Sequence, residues 1–120
     1  MKHQKKARKL SRDKDQRKAL FRTMLGSLIM HEKIETTEAK AKELKGKIDK
    51  IVNKAKKTKD EKRKLAVSRD LRTLIPAMAV KKIIGEFLDK FEKRGSGYIR
   101  IIKLAPRKSD GAKKAVIEFV

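Results

Sequence analysis

Apolar residues recur along this chain with two different periods, and the switch between them divides it. Leu20/Phe21, Met24/Leu25 and Leu28/Ile29 return every four residues, the repeat of one buried stripe on a helix. The spacing predicts a helix over about 12–30, with Ser11 or Asp13 placed to cap its start. Gly26 falls inside it, where a glycine costs about 1 kcal/mol against alanine, so it marks either a close helix contact or a tolerated cost. His31 to Glu35 reads as a short extended piece, with a strand near 33–36. Thr36 and Thr37 then offer hydroxyls to the free N–H groups of a second helix, whose positive end suits Glu38. That helix is expected over 38–56, with Ala41, Leu44, Ile48, Ile51, Val52 and Ala55 on one face and lysines on the other.

Thr58-Lys-Asp-Glu61 has capping-box spacing and opens a third helix over 59–73 through Leu65, Val67, Leu71 and Leu74. Ile75-Pro76 ends it, since the residue before proline is pushed out of the helical region while Pro76 suits the start of another helix. Val80, Ile83, Ile84, Phe87, Leu88 and Phe91 form the clearest stripe in the chain. They predict one helix over 76–93, stopped by a left-handed Gly95.

Beyond Gly97 the period becomes that of strands. Tyr98–Leu104 and Ala115–Val120 are rich in β-branched and aromatic residues, and Pro106, Asp110 and Gly111 lie between them. Strands near 98–104 and 114–119 should form an antiparallel hairpin. Both runs carry apolar residues on both faces, so the alternation does not choose which face is buried. Two strands alone are marginal, and the stretch near Lys33 supplies a third. The fold class is α+β, with helices layered on a small mixed sheet that ends in the hairpin.

Charge changes this picture from a generic small fold to one that needs a partner. The 120 residues carry a formal net charge of +21, and 42% are charged, far beyond what solubility requires, so a polyanion is expected. The excess is concentrated at the ends. Met1 to Arg22 holds ten Lys or Arg against Asp13 and Asp15, and Lys93 to Lys114 holds eight against Asp110. Met1 to Arg12 has six Lys or Arg and no acid. The chain therefore divides into a basic arm over residues 1–11, expected to order on binding, and one α+β domain over residues 12–120.

Candidate chemistry is sparse. With no Cys, neither disulfides nor thiolate zinc sites are available. His3 and His31 are isolated, one in the arm and one at a helix end where a cation is favoured. No phosphate-cradling glycine motif occurs, and Gly95-Ser-Gly97 reads as a helix stop and hinge. Met24, Met30 and Met78 lie at or near core spacing. No enzyme activity, metal, cofactor or small-molecule substrate is expected, nor a secretory signal, a membrane span or a membrane partner.

The arm MKHQKKARKL, then QRKALFRTM and SLIMHEKIETTEAKAKELK, and at the far end GSGYIRIIKLAPRKSDGAKKAVIEFV together resemble the bacterial large-subunit ribosomal protein family numbered seventeen. The resemblance covers essentially the whole chain. It is most specific in HEKIETTEAKAKEL and in GYIRI followed by a basic Asp-Gly loop and IEFV; the family's arm glycine is replaced by Ala7. It implies the order α-β-α-α-α-β-β in two layers. It also implies a structural protein of the cytoplasmic ribosome, bound to large-subunit ribosomal RNA near the outer end of the exit tunnel and next to other large-subunit proteins.

On that reading Lys2, His3, Lys5, Lys6, Arg8, Lys9 and Arg12 of the arm are candidate RNA contacts. Arg17, Lys18 and Arg22 of the first helix join them, as do Tyr98, Arg100, Arg107, Lys108 and Lys113. Lysines neutralise phosphates, whereas a guanidinium can also fork onto a phosphate or stack on a base. Tyr98 either stacks on a base or closes the sheet edge. The rival reading is a bacterial chromosome-associated DNA-binding protein, but basic residues at both ends and a terminal hairpin suit it less than one recognition helix would.

Overall fold

The computed structural model describes residues 14–120. Helix α1 (Lys14–His31) leads into strand β1 (Lys33–Thr37) and helix α2 (Glu38–Lys56). A 3₁₀ turn (Lys57–Lys59), helix α3 (Glu61–Leu74), the short helix α4 (Ala77–Ile83) and a 3₁₀ segment (Glu86–Phe91) follow. The chain closes with strands β2 (Ile99–Lys103) and β3 (Lys114–Phe119). The α-β-α-α-α-β-β order is therefore as expected.

The three strands lie in the order β1-β3-β2, and both pairings are antiparallel, so the sheet is not mixed. Its polarity is set where β1 gives way to α2. Thr37 pairs with Lys114, and the Glu38 N–H donates to the Lys113 carbonyl at 2.9 Å, which fastens the start of α2 to the start of β3. Thr37 caps α2 by accepting from the Lys40 N–H. Register then decides what the strand pattern left open. Ile34, Ile117 and Ile101 align across the sheet and face inward, while Ile102 and Leu104 are 45% and 36% exposed on the outer side.

The inner face of the sheet packs on α2, whose Ala41, Leu44, Ile48, Ile51, Val52 and Ala55 are all buried. Phe21, Leu25, Leu28 and Ile29 of α1 complete one flank. An aromatic cluster fills the other: Phe87 meets Phe91 and Phe119 edge-on at 5.3 and 4.9 Å, and Phe91 meets Tyr98 at 5.4 Å. Such contacts add about 0.5–1.5 kcal/mol each beyond area burial.

The stripe over 80–91 does not form one helix. α4 ends at Ile83, Gly85 leaves the helical region with ψ −150°, and the chain restarts as 3₁₀. Because 3₁₀ turns also return a face about every three residues, Phe87, Leu88 and Phe91 still reach the core. The apolar period is preserved by either geometry, and Gly85 is the signal that separates them. Gly97, with φ +66°, is the left-handed residue and Gly95 is not; the Asp49 carboxylate holds the Gly97 and Tyr98 N–H groups at 3.4 and 3.3 Å.

The third helix is capped differently from expectation. Asp60 accepts from the Lys62 N–H, while the buried Thr58 donates its hydroxyl to the Ala55 carbonyl at 2.6 Å, because the 3₁₀ turn carries it inward. Only Leu71 of α3 is buried. Leu65 is 64% exposed, since residues 65 and 67 are about 200° apart on a helix and cannot share a face. Met30 and Met78 are exposed at 38% and 71% and belong to no core stripe.

Gly26 marks a close contact. A Cβ there would fall 2.8 Å from Cδ and Cγ of Pro76, a rigid ring at the N-cap of α4. Gly26→Ala should therefore destabilise the protein by about 1–3 kcal/mol, despite the roughly 1 kcal/mol that alanine gains in a helix. Adding Pro76→Ala should recover part of the loss. Urea unfolding of the two single variants, the double variant and the parent measures this coupling, and a Gly26→Ala protein as stable as the parent would refute the contact.

Candidate nucleic-acid interface

Basic side chains on this fold separate into those with a carboxylate partner and those without. Arg100, on the outer face of the sheet, places Nε 2.7 Å from Glu118, its cross-strand neighbour, and Lys114 lies 3.4 Å from Glu35. Lys54 meets Asp70 at 2.9 Å, tying α2 to α3. Lys82 and Lys90 converge on Glu32 at 3.0 and 3.1 Å, and Lys42 and Lys103 flank Glu38 at 3.0 and 3.6 Å.

The contrasting region is a groove of about 390 Å³ between α1, α2 and the end of α3. Lys14, Arg17, Lys18 and Arg22 approach it from α1, and Lys47 and Lys50 from α2. The Glu43 carboxylate and Thr73 also line the groove, and none of these six cations forms an ion pair with another described residue. Lys47 instead lies 4.8 Å from the centroid of the Phe21 ring, and Arg22 donates to the Arg72 carbonyl at 3.3 Å, linking α1 to α3. Arg17 Nε is shielded from solvent and meets no acceptor. Phe21, Leu25, Ile51 and Leu74 supply apolar walls. The geometry arises because successive turns of α1 return residues 14, 17/18, 21/22 and 25 to one side, opposite the 47/50/51 side of α2.

A second basic cluster is the loop joining β2 to β3. Arg107 Nε is 3.6 Å from Asp110, and two further bonds close the turn: the Arg107 N–H to the Ala112 carbonyl, and the Gly111 N–H to the Arg107 carbonyl, each 2.8 Å. Gly111, at φ +69°, takes the left-handed position this turn requires. Lys108 and Lys113 are exposed on the same loop.

The sequence-derived candidates thus fall into several groups. Lys2, His3, Lys5, Lys6, Arg8, Lys9 and Arg12 lie outside the described residues. Arg17, Lys18 and Arg22 come together in the groove, and Arg107, Lys108 and Lys113 in the loop. Arg100 stands apart, engaged by Glu118. Tyr98 is fully buried, its hydroxyl 3.0 Å from the Arg94 carbonyl and beside the Asn53 amide, so the ring sits in the core just before β2, neither offered to a base nor closing an open sheet edge. Lys14 was not among the candidates, and Lys47 and Lys50 were missed because they sit in the stretch read as a solvated lysine face. The available signal was their spacing around Ile48 and Ile51, which turns them toward α1.

Among the described residues no cluster of His, Asp and Glu is arranged to hold a metal, and no helix is long and apolar enough to cross a membrane.

These features define a small, strongly basic α+β protein with cationic surfaces left open to an anionic partner. The chain belongs to the family described as Ribosomal protein L17, which matches residues 20–120. It is 44% identical to the large ribosomal subunit protein bL17 of Staphylococcus carnosus over 94% of this chain and 98% of that protein. Identity to the bL17 protein of Rubrobacter xylanophilus is 42%, over 100% of this chain and 96% of the relative. For the Erythrobacter litoralis bL17 it is 44%, over 100% and 83%.

Glu32 connects the electrostatics to the backbone. It has φ +64° at the turn from α1 to β1, and its carboxyl is held below its ordinary value of 4.5 by hydrogen bonds from Lys82 and Lys90, against a smaller effect of desolvation. A depressed folded pKa gives stability that is complete above the unfolded value and is lost as pH falls through the folded one. The side chain is 42% exposed, so solvent screening limits the contribution to below about 1 kcal/mol. Glu32→Gln should lower stability slightly at neutral pH and match the parent in acid below both pKa values. Thermal melts of both proteins from pH 7 to pH 3 test this, and a gap that widens in acid would contradict it.

Proposed function

We propose that this protein is a structural constituent of the large ribosomal subunit in the bacterial cytoplasm, and that it holds folded ribosomal RNA through the basic arm, the α1/α2 groove and the β2–β3 loop. Its bL17 relatives are named as large-subunit proteins and not as enzymes. The observation that carries the RNA reading is the convergence of six cations on one groove, where Glu43 is the carboxylate among the described lining residues. Unneutralised cations displace the counterions of a phosphate backbone on binding, which drives association without demanding sequence. Neighbouring large-subunit proteins would complete the setting, with residues 1–11 acting as an arm on the α+β domain that follows.

A DNA-binding role fits less well. It calls for a recognition helix projecting from a helical pair, whereas α4 has only seven residues and three of them are buried.

Removing residues 1–12 tests the arm. That segment has Leu10 as its main apolar residue, so its loss should leave the melting temperature near that of the full chain. If all six of its basic residues rest on phosphates, the salt slope of binding to large-subunit RNA should fall by about 4 to 5. A salt titration of both proteins on the same RNA, with sedimentation of tagged protein on sucrose gradients, provides the measurement. Unchanged slope and affinity would assign binding to Arg17, Arg22 and Arg107 instead; absence from the large-subunit peak would remove the ribosomal reading itself.

A further inference from the structure

The α1/α2/α3 groove is built for more than phosphate. Cations alone would suffice for a duplex backbone, whose charged oxygens need no apolar counterpart. Here six cations, with the Glu43 carboxylate among them, surround Phe21, Leu25, Ile51 and Leu74, and Leu74 is left 39% exposed. Apolar wall under a basic rim matches the two halves of an unstacked nucleotide, a flat base and its phosphate. Arg17 adds a second, independent pointer. Its Nε is shut off from water with no acceptor, a costly state for a charged donor that an oxygen brought by a ligand would relieve. The volume, about 390 Å³, lies at the lower end of small-ligand sites, which suits one nucleotide and not a helix or a folded peptide.

We infer that this groove captures a single unstacked nucleotide of RNA, with the base against Leu74 and the apolar wall and the phosphate on Arg17. The inference rests on the RNA-binding reading above and adds to it that recognition here requires a base free of its helix. Lys47 shifts from the Phe21 ring to the incoming phosphate, and Arg22, already anchored to the Arg72 carbonyl, keeps donors for a neighbouring one.

The test uses the full chain with labelled Leu and Ile methyl groups, titrated with single-stranded oligoadenylate, with a short RNA duplex and with polyglutamate of matched charge. Oligoadenylate should shift the Leu25, Ile51 and Leu74 signals, while the duplex and polyglutamate leave them in place. Arg17→Met and Leu74→Gln, both changes at the groove edge, should each weaken oligoadenylate binding about tenfold without altering the melting temperature. Unmoved methyl signals in a protein that still binds large-subunit RNA would overturn the groove assignment and leave the RNA-binding reading standing. Equal shifts with polyglutamate would overturn it in favour of an acidic chain, and failure to bind large-subunit RNA at low salt would overturn both readings.

Discussion

The buried face of α2 is the constraint on which the other elements depend. Its Ala41, Leu44, Ile48, Ile51, Val52 and Ala55 are buried, and the helix contacts α1, all three strands, α3 and the 3₁₀ segment. Each of the larger side chains contributes about 1.5–3 kcal/mol when withdrawn from water, and no other single element touches so many partners. Both ends of α2 are also fastened: Thr37 and the Lys113 carbonyl hold its start, and Thr58 closes its end onto Ala55. From the same helix Asp49 fixes the Gly97 turn and Asn53 meets Tyr98, so the entry to the terminal hairpin is set by α2 as well.

A chain of net charge +21 repels itself, and the fold distributes that cost unevenly. Acidic residues are placed where they bridge elements: Glu32 joins the α1–β1 turn to Lys82 and Lys90, Asp70 joins α3 to Lys54, and Glu118 joins β3 to Arg100 on β2. Exposed pairs of this kind are individually weak, and each offsets a little of the overall repulsion between neighbouring segments. Other lysines and arginines form no ion pair with a described residue, and six of these gather around one groove between α1 and α2, with Glu43 the carboxylate among its lining residues.

Much of the architecture follows from local pattern. The α1 and α2 stripes, the threonine cap, the Ile75-Pro76 break and the terminal hairpin all recur in the structure near the expected positions, because each depends on residues within a few turns of one another. The failures have a common cause. A period of three to four apolar residues is satisfied by α-helix and 3₁₀ alike, so Phe87, Leu88 and Phe91 could not reveal the interruption at Gly85. Thr58 had the spacing of a cap, yet the 3₁₀ extension of α2 turned it inward and left the task to Asp60.

The sequence by itself determined the class: a basic, cysteine-free α+β chain whose charge makes a polyanion the expected partner and whose motifs carry its family. Those are properties of composition and short-range order, which survive any choice of packing. Only the tertiary structure decided what Gly26 is for, since Pro76 is fifty residues away; which face of the hairpin is buried, since register across β3 sets it; and that Tyr98 belongs to the core. It also decided which cations remain available. A lysine's freedom depends on whether a carboxylate from a distant element reaches it: α3 brings Asp70 to Lys54, whereas Lys47 and Lys50 on the same helix face the cations of α1 across the groove.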